Sequence, residues 1–295
     1  MGLLSGLEKF GLKVSKDIDI FEDEQENQRG KGGENGDTVK VTEIPPEESL
    51  ILEKSVTCPI CDRVFRTKMV KSGRVKRLES DRDLRPRHQY IDTLKYDVCS
   101  CPECGYTALH RYFPNLTRIQ KKMLEEEVCA TFRPPTEKEP AVYDYDIAIE
   151  RCKLSLFNTI AKKGKVSEKA YTCLKIAWLY RGKAETMESD TEAKELLIQQ
   201  CKKEEEEFYR QAYEGLVKAV STEMFPICGM DQGTVDFLLA AMSVHYKKYD
   251  VASKLLASIL TSQTAGRQMK NRALAMKEEV VAELRKGKKL GEKSE

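Results

Sequence analysis

Cys58-Pro-Ile-Cys61-Asp62 and Cys99-Ser-Cys101-Pro-Glu-Cys104-Gly105 are the two stretches that decide how this chain is read. Each contains a Cys-x-x-Cys pair, and the two-residue gap lets one tight turn aim both sulfurs at the same ion. The proline after each first cysteine helps to fix that turn. Gly105 follows the second pair, where such a knuckle favours a backbone without a Cβ. Asp62 holds the matching place in the first pair and tolerates the left-handed region. Cys58, Cys61, Cys101 and Cys104 are therefore expected to form one closed four-thiolate shell around a single structural zinc ion. The long separation between Cys61 and Cys101 places an insertion between the half-sites. The competing reading is two unrelated redox or free-thiol pairs. A redox Cys-x-x-Cys needs a low-pKa thiol at a helix start in a βαβ setting, and neither pair has it.

Working outward, residues 50–113 read as a small β-rich unit that the metal staples, because its own core is thin. Val64, Arg66, Lys68 and Val70 alternate before Ser72-Gly73, and Val75, Arg77 and Glu79 follow it. That pattern predicts a β-hairpin across 63–79, with Tyr96-Asp97-Val98 as a strand entering the second knuckle. The insert is basic: ten Lys/Arg against three Asp/Glu between Arg63 and Arg87. Arg66, Lys68, Lys71, Arg74, Lys76, Arg77 and Arg85 are the candidate binding cations, for phosphates or for an acidic protein surface. An ordinary charged surface is the alternative. Asp81 and Asp83 alternate with Arg82 and Arg85, which favours ion pairing within the loop. Cys99 is read as a strand residue beside the metal shell, and His88 and His110 are left out of a shell that the cysteines fill.

Beyond Pro114 the pattern turns helical. Asn115 or Thr117 can cap a helix reaching about Phe132. Further helices are expected at about 143–163, 167–183, 189–222, 231–247, 249–262 and 265–286, with Gly and Pro between them. Paired helices of this length suggest tetratricopeptide-like hairpins, clearest from Thr234 to Leu260, where Ala252 marks a close helix approach. A generic helical bundle is the alternative. The fold class is thus α+β, mostly α: a small β-rich four-cysteine zinc unit followed by an antiparallel helical repeat domain at 114–287. Of the ten cysteines, Cys129, Cys152, Cys173, Cys201 and Cys228 are read as single buried thiols.

Residues 1–14 form a short amphipathic segment, either a docking or membrane-surface helix or one folded back on the body. Residues 15–49 are an acidic and Gly-rich linker, and 288–295 a tail. With 295 residues, 33% charged and a net charge of only +2, the chain carries no global pull toward nucleic acid. No apolar run is long enough to span a bilayer, so no stable membrane insertion is expected. The first residues lack a secretory core and cleavage site, which predicts a cytoplasmic protein. No Ser-His-Asp signature, Walker loop or dinucleotide fingerprint occurs.

The ordered set Cys58-Pro-Ile-Cys61, Phe65, Val70-Lys-Ser-Gly73, Arg77, Asp81-Arg-Asp-Leu-Arg-Pro86, Tyr96-Asp97-Val98 and Cys101-Pro-Glu-Cys104-Gly-Tyr resembles the bacterial domain-of-unknown-function 2225 family over about residues 50–260. The resemblance implies a zinc-ribbon-like unit followed by TPR-like helices, with Cys58, Cys61, Cys101 and Cys104 as ligands. It implies no activity. From the residues, the expected function is a non-enzymatic scaffold that binds a protein or peptide through its helices. The alternative is nucleic-acid or nucleotide binding through the basic insert. A third reading is an enzyme, which would need a site away from the closed zinc for which the sequence offers no candidate constellation; thiol-based redox sensing with zinc release is a still weaker fourth.

Overall fold

The first knuckle is the loop of a β-hairpin. Strand β1 (Ile51–Thr57) pairs antiparallel with β2 (Val64–Val70), from Ile51 opposite Val70 to Thr57 opposite Val64. The second knuckle repeats the plan on a smaller scale: β3 (Val98–Ser100) pairs antiparallel with β4 (Thr107–Leu109). This corrects the expected hairpin across 63–79, because β2 pairs backward with β1. Ser72–Arg74 forms a single 3-10 turn. The chain after it runs beside residues 87–89, with Leu78 N–H donating to Arg87 O and Gln89 N–H to Lys76 O. A period-2 pattern reports an extended strand and leaves its partner unnamed. The strand expected at Tyr96 begins two residues later, after a 3-10 turn at Thr93–Tyr96.

This computed structural model describes residues 7–11, 45–136 and 139–291, with side chains to residue 285. The 15–44 part of the expected linker and the last four residues lie outside the described residues. Two compact units are present. The first comprises the chain to Glu79 and Pro86–Gly215; the second comprises Ser80–Arg85 and Leu216 onward.

In the first unit, helix α1 (Arg118–Leu124) starts at Thr117 with a reciprocal capping box to Gln120, and a π-helical turn (Glu125–Cys129) continues it. Asp144 caps α2 (Tyr145–Ala161) by accepting from Ile147 N–H at 2.8 Å. Helices α2 and α3 (Val166–Glu185) pack as a pair joined by a short turn. Leu156 on α2 and Leu174, Ile176 and Leu179 on α3 are all out of solvent. A second core joins Leu50, Ile51, Ile91, Tyr96 and Tyr143. Of residues 1–14, the described part, Leu7–Phe10, folds onto this unit: Leu7 is buried, Phe10 stacks on Phe132 at 5.7 Å, and Phe10 O accepts from Arg133 N–H at 2.8 Å.

Helix α4 (Glu192–Thr222) contributes residues to both units. In the second unit α5 (Gln232–His245), α6 (Tyr249–Thr261) and α7 (Arg267–Gly291) pack in sequence, α5 with α6 and α6 with α7. Ala252 is fully buried, as the expected close approach requires. Ser80–Arg85 belongs to this unit. Leu84, at φ +66°, packs against the α5–α7 core, and Arg272 donates to Ser80 Oγ and Asp81 O, both at 3.0 Å. Arg82 pairs with Glu279 at 2.8 Å, on α7, while Arg85 faces Asp81 at 3.9 Å. Among the described residues, no helix is long and apolar enough to cross a membrane.

Asp236 is buried on α5, with the Ser258 hydroxyl at 3.5 Å. Burial pushes its carboxyl above the usual range. The native state therefore holds this proton more tightly than the unfolded chain does. Stability from this group is full below the unfolded pKa and is lost as pH rises through the folded one. Asp236→Asn should raise the thermal midpoint at pH 7, by about 1 kcal/mol of stability, and flatten the acid-side slope. A lower midpoint at pH 7, measured by calorimetry, would show that the carboxylate is used.

Candidate metal centre

Two backbone turns of the same form bring the four cysteines together. Cys58 N–H donates to Arg63 O at 2.9 Å and Asp62 N–H to Cys58 O at 3.0 Å. In the second knuckle Cys101 N–H donates to Tyr106 O at 2.8 Å and Gly105 N–H to Cys101 O at 3.1 Å. Asp62 and Gly105 both sit at positive φ, +58° and +76°. Each turn must curl back left-handed so that its second sulfur faces the same point as its first.

The four Sγ atoms lie within 4.8 Å of one another. The pairs across the two knuckles are the close ones, Cys58 to Cys104 at 3.6 Å and Cys61 to Cys101 at 3.7 Å. A tetrahedral ion with thiolates at about 2.3 Å would set sulfur–sulfur edges near ~3.8 Å. A disulfide would require about 2.05 Å. The geometry therefore suits a metal ion. Cys58, Cys101 and Cys104 are buried and Cys61 is half-buried. Hydrogen bonds from Cys104 and Cys58 hold the Cys101 thiol far below its usual range, at about 2. The Cys101 thiol pushes Cys58 up to about 12. Thiols must give up their protons to ligate a cation, so metal uptake at this cluster would release protons.

The site is fastened to the helices by residues that sequence reading passed over. Asn158 on α2 is buried; its Oδ1 accepts from Thr107 N–H at 3.3 Å, and its Nδ2 donates to Gly105 O at 3.4 Å and Leu154 O at 2.9 Å. One amide thus reads the backbone on both sides of Tyr106. Tyr106 is itself fully buried against Phe113 at 4.7 Å, and its hydroxyl donates to Phe113 O. The Phe132 ring covers Gly105: a Cβ built there would lie 2.3 Å from a ring carbon. Cys129 was expected to sit singly. It lies against Cys104 instead, and this contact holds its thiol below the usual range. Only the spacing within a knuckle is visible locally, so nothing in the sequence marks Asn158, Phe132 or Cys129 as neighbours of the site.

Cys99 is buried in β3, where burial pushes its thiol up to about 12, so it stays protonated. His88 accepts or donates at Nδ1 with Thr93 Oγ1 at 3.2 Å, and burial lowers both His88 and His110. Neither histidine belongs to the group of four ligand atoms.

The candidate cations do not assemble on one face. Arg66 is exposed and pairs with Glu53 at 3.1 Å, across the β1–β2 hairpin. Lys68 is buried and pairs with Glu139 at 3.2 Å. Lys71 donates to Ser49 O at 2.9 Å, and Arg85 is 2% exposed. Arg74, Lys76 and Arg77 are exposed. The expected pairing of Arg66 and Lys68 with Arg74 and Lys76 depended on a hairpin that does not form.

A family model for the bacterial proteins described as "Uncharacterized protein conserved in bacteria (DUF2225)" matches residues 51–280. No curated protein and no solved structure matches the chain. The matched span contains both knuckles, Asn158 and most of α7, and the chain belongs to the DUF2225 family.

Proposed function

We propose that this protein is a zinc-structured, non-enzymatic adaptor that engages a protein or peptide partner through its helices. Four thiolates complete the tetrahedral shell that zinc prefers and leave no open position for a substrate or an attacking water. The knuckles are tied into α2 through Asn158, so the ion acts as a staple for the unit that carries the helices. The observation that carries the partner reading is the start of α4. Residues 192–197 are all exposed, and Leu196 and Leu197 stand 60% and 53% in solvent after Glu192, Ala193, Lys194 and Glu195. Adjacent large aliphatics left in water on a helix favour a docking surface. The α5–α7 face is partly taken by the chain's own Ser80–Arg85, so α4 is the better contact surface.

The test is capture from native lysate with the full tagged chain, with and without nuclease, beside Leu196→Asp/Leu197→Asp. The adaptor reading expects a defined protein that survives nuclease and is lost at least tenfold in the double variant. Capture unchanged by the substitutions removes α4 as the contact surface. Material that disappears with nuclease and with salt would favour phosphate binding by Arg74, Lys76 and Arg77.

A further inference from the structure

Away from the cysteines, three donors converge on one carboxylate in the first unit. Glu139 Oε2 faces Lys68 Nζ at 3.2 Å, and Oε1 accepts from Arg151 Nη1 at 3.1 Å and from the Tyr143 hydroxyl. The donors form a fixed wall. Lys68 projects from β2 and Arg151 from α2, and their side chains are 7% and 17% exposed. Tyr143 is fully buried, stacks on Tyr96 at 5.2 Å, and donates its backbone N–H to the Tyr96 hydroxyl. Both cations lie over the Tyr143 ring, Lys68 Nζ at 5.2 Å and Arg151 Cζ at 4.7 Å from its centroid. Glu139 is the exposed member, with a side chain 41% in solvent.

Glu139 satisfies this wall incompletely. Buried Lys68 and half-buried Arg151 share a single negative charge, one carboxylate oxygen serves two donors, and Arg151 Nη2 reaches only a backbone carbonyl, Val98 O, at 3.4 Å. Arg151 Nε is buried with no hydrogen-bond partner. Buried cations are stable when matched in charge and fully hydrogen-bonded. A phosphoryl group supplies what is lacking: close to two negative charges and three acceptor oxygens for three or more donors.

We propose that Lys68, Arg151 and Tyr143 form a binding site for a phosphate group, and that Glu139 occupies it as an internal surrogate. The site is independent of the adaptor reading and uses none of the exposed cations of the basic insert. Inorganic phosphate and a phosphate monoester offer the same chemistry here, so inorganic phosphate is the probe.

The test uses the full zinc-loaded chain in titration calorimetry and thermal shift at constant ionic strength. Glu139→Ala, or Glu139→Gln if the alanine variant does not fold, should bind phosphate at least tenfold more tightly than the unaltered protein. Its thermal midpoint should rise with phosphate. Adding Lys68→Met to the Glu139 variant should abolish both effects, while zinc content and helical signal stay unchanged. A folded Glu139 variant that takes up no phosphate would make Glu139 a simple tether and overturn the proposal. Uptake that survives Lys68→Met, or acetate binding as tightly as phosphate, would overturn it too.

Discussion

Cys101→Ser should lower the metal content from about one zinc per chain to a small fraction of that and unfold the knuckle region while much of the helical signal remains. The expected cost is large because binding free energy is folding free energy in a unit of this kind. Structural zinc in small domains contributes on the order of 10 kcal/mol. Two short hairpins, β1–β2 and β3–β4, are held at their loops by the four sulfurs. Two-stranded hairpins alone are marginal in water. The helical signal should persist because α5–α7 have their own core around Phe237, Leu256 and Met276. Metal analysis and far-UV circular dichroism on the same sample read both effects. Chelation of the unaltered protein should reproduce the variant. Cys129 adds a discriminating control, because its thiol lies against Cys104. Zinc retained in Cys101→Ser but lost in Cys101→Ser/Cys129→Ser would make Cys129 a substitute ligand. Zinc retained in both would mean that the four-thiolate shell is wrong.

Gly105→Ala should destabilise the first unit by roughly 2 to 5 kcal/mol, without touching a ligand. Two independent costs combine. The φ of +76° lies in the left-handed region, where a Cβ costs about 1–2 kcal/mol. The added carbon would also meet three Phe132 ring atoms at 2.3, 2.4 and 2.8 Å. That ring stacks on Phe10 in a segment whose carbonyl is held by Arg133, so it cannot retreat cheaply. Because the second cost needs Phe132, the two residues should be coupled. Gly105→Ala/Phe132→Ala should be more stable than the sum of the single changes predicts, by at least ~1 kcal/mol. Strict additivity in chemical denaturation would refute the close approach. Asp62 at the first knuckle already bears a Cβ at φ +58°, so Asp62→Ala should have a much smaller effect than the glycine change.

The features legible in the sequence are those set within a few residues. The knuckle turns follow from two-residue gaps and from what Asp62 and Gly105 allow at positive φ. Thr117, one of the two caps expected, starts its helix by accepting from Gln120 N–H, whereas the Asp144 cap on Ile147 N–H was not singled out in the sequence. The 234–260 hairpin is visible because α6 buries one periodic face at Ala252, Leu256 and Ile259, after an apolar α5 that is buried all round from Val235 to Ser243. Tertiary structure decided what alternation and composition leave open. An extended segment can pair with any strand that offers matching backbone groups, so β2 could be assigned to β1 only by the finished sheet. Lys68 and Arg85 look like surface cations in sequence, yet burial beside Glu139 and Asp81 removes them from any surface patch. Asn158, Phe132 and Cys129 reach the knuckles from distant helices and turns. Their role is created by long-range packing, which depends on summed burial over many residues and leaves no short-range pattern to read.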